Sequence, residues 1–272
     1  MARILILLFS AASYSLFLVV FLYLVAFLAN LQNTTVADAL PILHSLVPYS
    51  IDQGRAAGPL VVALLADLSL IALFGLQHSV MARQGFKKLW TRIVPKEAER
   101  SFYVFTSSIV LGFILWQWRP IATPVIWHAD SALGNLLAWG VMLTGLVILL
   151  WSTFLIDHFD LFGLKQAWYR FRDRPLRHPK FVTPYLYRFV RHPLYVGWFL
   201  IFWGTPAMSF GHLLFAIGMS AYILIAIRFE ERDLVSFHGE AYRQYKEQVP
   251  MVLPGLKRRF TGLTEIKSRP YQ

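Results

Sequence analysis

Apolar residues gather along this chain in four long blocks, at 4–29, 58–82, 101–118 and 132–156. At 1.5 Å of rise per residue, each can cross a hydrocarbon core of about 30 Å, so each predicts a transmembrane helix. The length of the first block, and its lack of a small-residue cleavage site, predict a retained span and not a removed signal. A fifth apolar stretch, 195–229, is different: as one helix it would run roughly 50 Å, too long for the core. It is broken at Gly204-Thr205-Pro206, residue types that end helices where freed backbone groups find other partners. The pattern therefore predicts a hairpin whose first arm, 195–205, reaches only part-way across. The expected fold class is all-α, a polytopic transmembrane helical bundle of four full spans plus a C-terminal helical hairpin. Residues 1–272 form one domain in this reading, with a cytoplasmic loop at 157–194, the hairpin at 195–229 and a cytoplasmic tail at 230–272.

The polar segments agree with that topology. Of 26 Lys and Arg, all but Arg55 and Arg119 fall before the first block, at 83–100, at 165–191 or after 227. These are alternate ends of successive spans, which the positive-inside rule assigns to the cytoplasm. The net charge of +11 is thus accounted for by topology and anionic headgroups, not by nucleic acid. Segment 30–57, with Pro41, Pro48 and Gly54, reads as an external connection; 157–194 carries Pro175, Pro179 and Pro184. The tail opens as a charged helix that continues through Tyr242 and Tyr245 to Pro250, and 257–272 is a basic end. With 57% hydrophobic residues the chain has too much apolar surface for a soluble domain of this size. No cysteine is present, which excludes disulfides, Cys-ligated metal and a covalent cysteine intermediate, so any group transfer must be direct.

Three groups of polar residues carry candidate chemistry. The first is Arg191-His192-Pro193-Leu194-Tyr195, followed 35 residues after Tyr195 by Glu230-Glu231. Charge and hydrogen-bonding groups are held at both ends of a membrane-buried segment, an arrangement suited to gripping a polar cofactor at the bilayer surface. The second is Asp157-His158-Phe159-Asp160 at the inner end of the fourth block. Asp157 and Asp160, three apart, share a face if the helix continues, with His158 turned about 100° away. Such a cluster suits proton transfer beside a cofactor; two or three ligands without a further set are weak grounds for a metal, and none is expected. The third is His78, with Gln77 beside it and Asp67 eleven residues earlier on nearly the same face.

The order R-H-P-x-Y, apolar hairpin, E-E resembles the isoprenylcysteine carboxyl methyltransferase superfamily of integral membrane S-adenosylmethionine enzymes. Two further stretches, F-G-L-Q-H-S-V-M-A-R at 74–83 and I-D-H-F-D-L-F-G-L at 156–164, are similar to the methanethiol S-methyltransferase family within it. A group of membrane proteins linked to nitrogen-oxide metabolism shares something like the first of them. The resemblance implies methyl transfer from S-adenosylmethionine to methanethiol, giving dimethyl sulfide, in a bacterial inner membrane with the site facing the cytoplasm. It carries cofactor binding to Thr183, Tyr185, Tyr187, Arg191, His192, Pro193, Tyr195, Glu230 and Glu231, with Arg191 pairing the methionyl carboxylate. Tyr185 stands where the family usually has glycine.

A simple alkanethiol is a weaker acid than a cysteine side chain at about 8.5, so ionising it at pH 7 costs at least about 2 kcal/mol. His158 and Asp160 are the candidate bases, with His78 and Asp157 beside them. An NADPH-dependent membrane reductase of sterol-reductase architecture, a methyltransferase of isoprenylcysteine or lipid, and a non-enzymatic ligand-binding membrane protein remain alternatives.

Overall fold

The computed structural model describes residues 1–175 and 182–255; Pro179 and the basic end at 257–272 lie outside the described residues. Among the described residues, five helices are long and apolar enough to cross a membrane: α1 (Ala2–Leu28), α4 (Leu60–Ala82), α6 (Lys96–Gln117), α7 (Ala132–Ile156) and α11 (Phe210–His238). The short α2 (Thr35–Ala39) and α3 (Ile42–Leu46) lie in the first connection, and α5 (Gln84–Trp90) follows α4 directly. The α6 helix starts five residues before its apolar block, after Pro95, with Glu97 and Glu99 in its first turn, where carboxylates favour the helix dipole.

Beyond α7 come α8 (His158–Leu161), α9 (Leu164–Phe171), α10 (Pro193–Trp203) and α12 (Glu240–Gln248). Pro193 is the first residue of α10, a place where its missing N–H removes no bond. Two glycines let α10 lie almost backbone to backbone on α7. A Cβ on Gly197 would stand 2.7 Å from the Gly145 carbonyl oxygen, and a Cβ on Gly145 would stand 2.7 Å from that of Gly197. Close approach through small residues is a main source of packing where lipid supplies no hydrophobic drive between helices. Further along, Gly204 meets Met142, so α10 runs antiparallel to α7. It also runs antiparallel to α11, since Trp203 Nε1 donates to Ser220 Oγ at 3.1 Å while Tyr195 Oη donates to Glu230 Oε2 at 2.9 Å.

The all-α expectation needs one correction. The connection from α6 to α7 contributes β1 (Val125–His128), paired antiparallel with β2 (Ala207–Ser209) between α10 and α11. The physical reason is the length of α10: eleven residues rise only about 16 Å. Its tip therefore ends among apolar helices with backbone groups that need protein partners. The α6–α7 connection supplies them: Ala129 N–H donates to the Pro206 carbonyl at 2.8 Å, Phe210 N–H to that of Pro124 at 3.0 Å and Gly211 N–H to that of Ile121 at 2.8 Å. Trp127 Nε1 adds a bond to the Thr205 carbonyl at 3.1 Å.

Two boundaries also differ from the sequence reading. The expected division between hairpin and tail at 229/230 is absent, because α11 continues unbroken for 29 residues and places Glu230 and Glu231 inside it. Gly239 then ends the helix at φ +61, a conformation that glycine adopts readily. In addition, α7 does not continue through the acidic cluster: Asp157 has φ +90 and separates α7 from α8. The shared helix face of Asp157 and Asp160 is replaced by a cap, with Asp157 Oδ1 accepting the Asp160 N–H at 3.1 Å.

Gly197→Ala should lower stability by about 1–3 kcal/mol, the usual cost of overpacking. Gly140→Ala, on the same α7 with nothing within 4 Å of the added carbon, should leave it unchanged or raise it by up to about 1 kcal/mol. Thermal unfolding in detergent compares the two; equal midpoints would show that the α7–α10 contact is not close.

Candidate active site

Arg191 and His192 precede α10, and Glu230 and Glu231 lie near the far end of the antiparallel α11, so the two motifs meet. The Arg191 and His192 N–H groups donate to the carbonyls of Pro250 and Met251 at 2.9 and 3.1 Å, which fixes the chain there. The Arg191 Nε donates to Glu231 Oε1 at 2.7 Å, and its Nη1 to the carbonyls of Lys246, at 3.0 Å, and Val249. His192 Nε2 reaches the same Glu231 oxygen at 3.1 Å, and Lys246 Nζ takes the other at 2.9 Å. Arg191, His192 and Glu231 are all buried. Buried charges persist when paired and hydrogen-bonded in this way.

This changes the parts expected within the motif. Arg191, expected to receive a methionyl carboxylate, has Nε and Nη1 engaged inside the protein. Glu231, expected to bind ligand, is enclosed by three cationic or hydrogen-bonding partners. Glu230 is the open carboxylate: its side chain is 43% exposed, with His192 Nδ1 at 4.0 Å and the Tyr195 hydroxyl on one oxygen. Burial, reinforced by the nearby Glu230 charge, pushes the Tyr187 phenol above the ordinary range. The Tyr187 carbonyl accepts the Tyr245 hydroxyl, which links α12 to the same group.

The remaining residues of the segment divide. Thr183 is buried and its carbonyl accepts Arg188 Nε at 3.3 Å; Pro193 starts α10. Tyr185 is 68% exposed, its ring faces Trp151 at 6.5 Å, and its backbone has φ +38. It therefore holds a left-handed turn where the family usually has glycine, a conformation that costs an ordinary residue about 1–2 kcal/mol.

The Asp157–Asp160 cluster has partners of its own. His158 is buried and both ring nitrogens are engaged, Nε2 with Tyr14 Oη at 2.7 Å and Nδ1 with Thr153 Oγ1 at 2.8 Å. Phe154 stacks on it at 4.4 Å. Burial holds its pKa below the ordinary value against the opposing Asp157 carboxylate. Asp157 pairs with Lys165. Burial raises Asp160, with Lys165 opposing, Asp157 reinforcing and Arg100 opposing. Asp157 and Asp160 line an inner cleft of about 300 Å³ with Lys87, Glu99, Arg100 and Gln166.

His78 lies instead beside aromatic residues that the sequence reading passed over. Phe74 stacks at 5.1 Å, Tyr103 lies at 4.8 Å and Tyr222 meets it edge-on at 6.2 Å. Gly75 lets Tyr222 approach, since a Cβ there would lie 3.1 Å from its ring. His78 Nδ1 bonds Ser107 Oγ at 3.1 Å. Asp67, by contrast, is fully buried and accepts the Arg119 N–H at 3.0 Å, tying α4 to the end of α6. Tyr103 and Tyr222 had a weak signal in sequence: each is a hydroxyl-bearing ring inside an apolar block, the first three residues after Arg100 and the second eight before Glu230.

A family described as "Protein of unknown function (DUF1295)" matches residues 58–249. The chain is 46% identical over 254 residues to methanethiol S-methyltransferase of Crocosphaera subtropica, covering 93% of each chain. It is 47% identical over 255 residues to methanethiol S-methyltransferase 2 of Bradyrhizobium diazoefficiens, covering 94% of this chain and 92% of that one. To methanethiol S-methyltransferase of Mycobacterium tuberculosis it is 43% identical over 254 residues, covering 93% and 98%. No solved structure matches the chain.

Tyr185→Gly should raise the thermal midpoint. Relief of the left-handed strain exceeds glycine's chain-entropy cost by up to about 1 kcal/mol. A lowered midpoint would mean that the ring contact with Trp151 outweighs the strain.

Proposed function

The chain belongs to the methanethiol S-methyltransferase family, and from that premise we propose that it transfers the methyl group of S-adenosylmethionine to methanethiol, releasing dimethyl sulfide, S-adenosylhomocysteine and a proton. The observation that carries this reading is Glu230, a carboxylate held by Tyr195 and left open beside a network in which Glu231 is already neutralised. A carboxylate and several phenol rings fit a ligand with a positively charged sulfur, since aromatic faces attract such cations. Bound there, the cofactor would supply a methyl group on a sulfonium, already activated toward a sulfur nucleophile.

The protein's own residues would do the rest. Glu230 and Tyr195 hold the cationic ligand, with Tyr187, His192 and the Thr183 segment around them. Arg191, Glu231 and Lys246 keep that wall rigid, so that the reacting atoms are aligned when the thiol arrives. Tyr185 contributes the turn and not a contact. A small apolar thiol partitions into the bilayer, which makes a site between helices reachable.

The same reading sets the topology. The N-terminus, the basic segments at 83–100 and 165–191, and α12 lie on the cytoplasmic side of a bacterial inner membrane. With α10 and α11 as a hairpin, both of its ends face that side.

Two measurements test this. Purified protein given S-adenosylmethionine and methanethiol should form dimethyl sulfide. Glu230→Ala should weaken S-adenosylmethionine by about ten- to a hundredfold in calorimetric titration, the worth of one charge-assisted contact. Unchanged affinity in a folded Glu230→Ala protein removes the carboxylate from the site; absence of product with wild type removes the reaction.

For the topology, single cysteines are clean reporters because the chain has none. In right-side-out vesicles an impermeant thiol reagent should label Asp130→Cys, and should label Lys88→Cys and Gln244→Cys only after permeabilisation. Direct labelling of Gln244→Cys would overturn the hairpin.

A further inference from the structure

Resting on the thiol-methylation reading, we infer that His78 is the base that takes the thiol proton, in a substrate site walled by Phe74, Tyr103 and Tyr222. The S–H bond breaks with its electron pair left on sulfur, and the proton bonds to His78 Nε2. Three features of the geometry support the assignment. First, Nδ1 is fixed by Ser107 Oγ at 3.1 Å, and Nε2 has no hydrogen-bond partner among the described residues. With Nδ1–H donating to Ser107, the bare lone pair of Nε2 is the one turned away from the anchor. Gln77 Nε2 also donates to Ser107 Oγ, at 3.3 Å, and to Thr106 Oγ1, also at 3.3 Å, so the anchoring hydroxyl is itself held.

Second, the ring adjoins the proposed cofactor group. Tyr222 is on α11, the helix that carries Glu230, and Tyr195, Tyr222 and Tyr103 interact electrostatically with one another and with Glu230. A thiol between His78 and these phenols is next to the wall where the cationic ligand would sit. His158 has no such neighbour: both of its nitrogens are consumed by Tyr14 and Thr153. Of His78 and His158, the two histidines expected as bases, only His78 has a ring nitrogen without a hydrogen-bond partner among the described residues.

Third, the surroundings send the proton onward. The charged and titratable groups that face His78 are Arg100 and Tyr103 on α6 and Tyr222 on α11; Glu230 and Arg83 act in turn on both of those tyrosines. The Arg100 guanidinium lies 5.0 Å over the Tyr103 ring. A cation there favours a thiolate over an imidazolium, so a proton accepted by His78 is not retained. Arg100 also lines the inner cleft with Asp160, Glu99 and Lys87, so the cation that faces His78 from α6 also borders a cleft that holds carboxylates. Phe74, Tyr103 and Tyr222 close around the imidazole at ring-centroid distances of 4.8 to 6.2 Å, so its immediate surroundings are aromatic.

The test compares nucleophiles that do and do not need a base. Methanethiol needs one at neutral pH; methaneselenol, a much stronger acid, is already ionised. In the full-length protein, His78→Ala and His78→Gln should lower turnover of methanethiol at pH 7 by about a hundred- to ten-thousandfold, as for a positioned general base. Turnover of methaneselenol should change less than about tenfold on the same scale, and the thiol deficit should shrink as pH rises. Calorimetric affinity for S-adenosylmethionine should stay at the wild-type value, which also reports that the variants are folded. Equal losses on both nucleophiles would overturn the base and leave His78 a structural part of the wall. Undiminished thiol turnover would overturn it too. A wild-type protein that methylates neither nucleophile would instead overturn the reaction proposed above.

Discussion

The bond from Arg191 to Glu231 is the interaction on which the α12 end of this protein depends. Its two ends come from the chain just before α10 and from deep within α11, and the same guanidinium also binds carbonyls at the end of α12. Three segments far apart in sequence are thereby held in one register. Removing Glu231 would leave the Arg191 guanidinium buried without its counter-charge, at a cost of about 3–5 kcal/mol. The pair is thus a foundation: because Glu231 is neutralised by Arg191, His192 and Lys246, its neighbour Glu230 remains as the carboxylate still open to something else.

The opposite end of the α10–α11 pair answers to a different constraint. Backbone that leaves helical geometry between apolar helices must find its hydrogen bonds in the protein. The short α10 creates that situation at Gly204-Thr205-Pro206, and the α6–α7 connection resolves it by folding down to form the β1–β2 ribbon. Between these two fixed ends, Gly145 and Gly197 let α10 lie close against α7, so the position of Tyr195 relative to Glu230 follows from packing along the whole arm.

Much of the architecture was legible in the sequence because transmembrane blocks are declared by length and apolarity alone. The blocks at 4–29, 58–82 and 132–156 each lie within three residues of a long helix at both ends. The break near Gly204 was declared by residue type. What could not be read were outcomes set by contact between distant segments. His158 looked like a base because a histidine between aspartates is ambiguous until its neighbours are known. Its partner Tyr14 is 144 residues away. Arg191 looked available because nothing in the sequence says that the end of α12 returns to it. Asp157 looked like part of a continuing helix because a single residue at positive φ leaves no mark unless it is glycine. Tyr185 is the converse: the departure from the family's glycine was visible, and its backbone conformation is the one glycine would have adopted.

The ribbon between β1 and β2 has a consequence for how this protein can vary. Connections between membrane spans are ordinarily free to lengthen, shorten and drift, since they touch little beyond solvent. Residues 119–131 lack that freedom, because their backbone atoms complete the tip of a helix whose other end carries Tyr195. Natural insertions and engineered tags placed in this connection should therefore behave like changes in the interior. At the end of α10 away from Tyr195, the protein carries a stretch of loop that it must keep as carefully as a core.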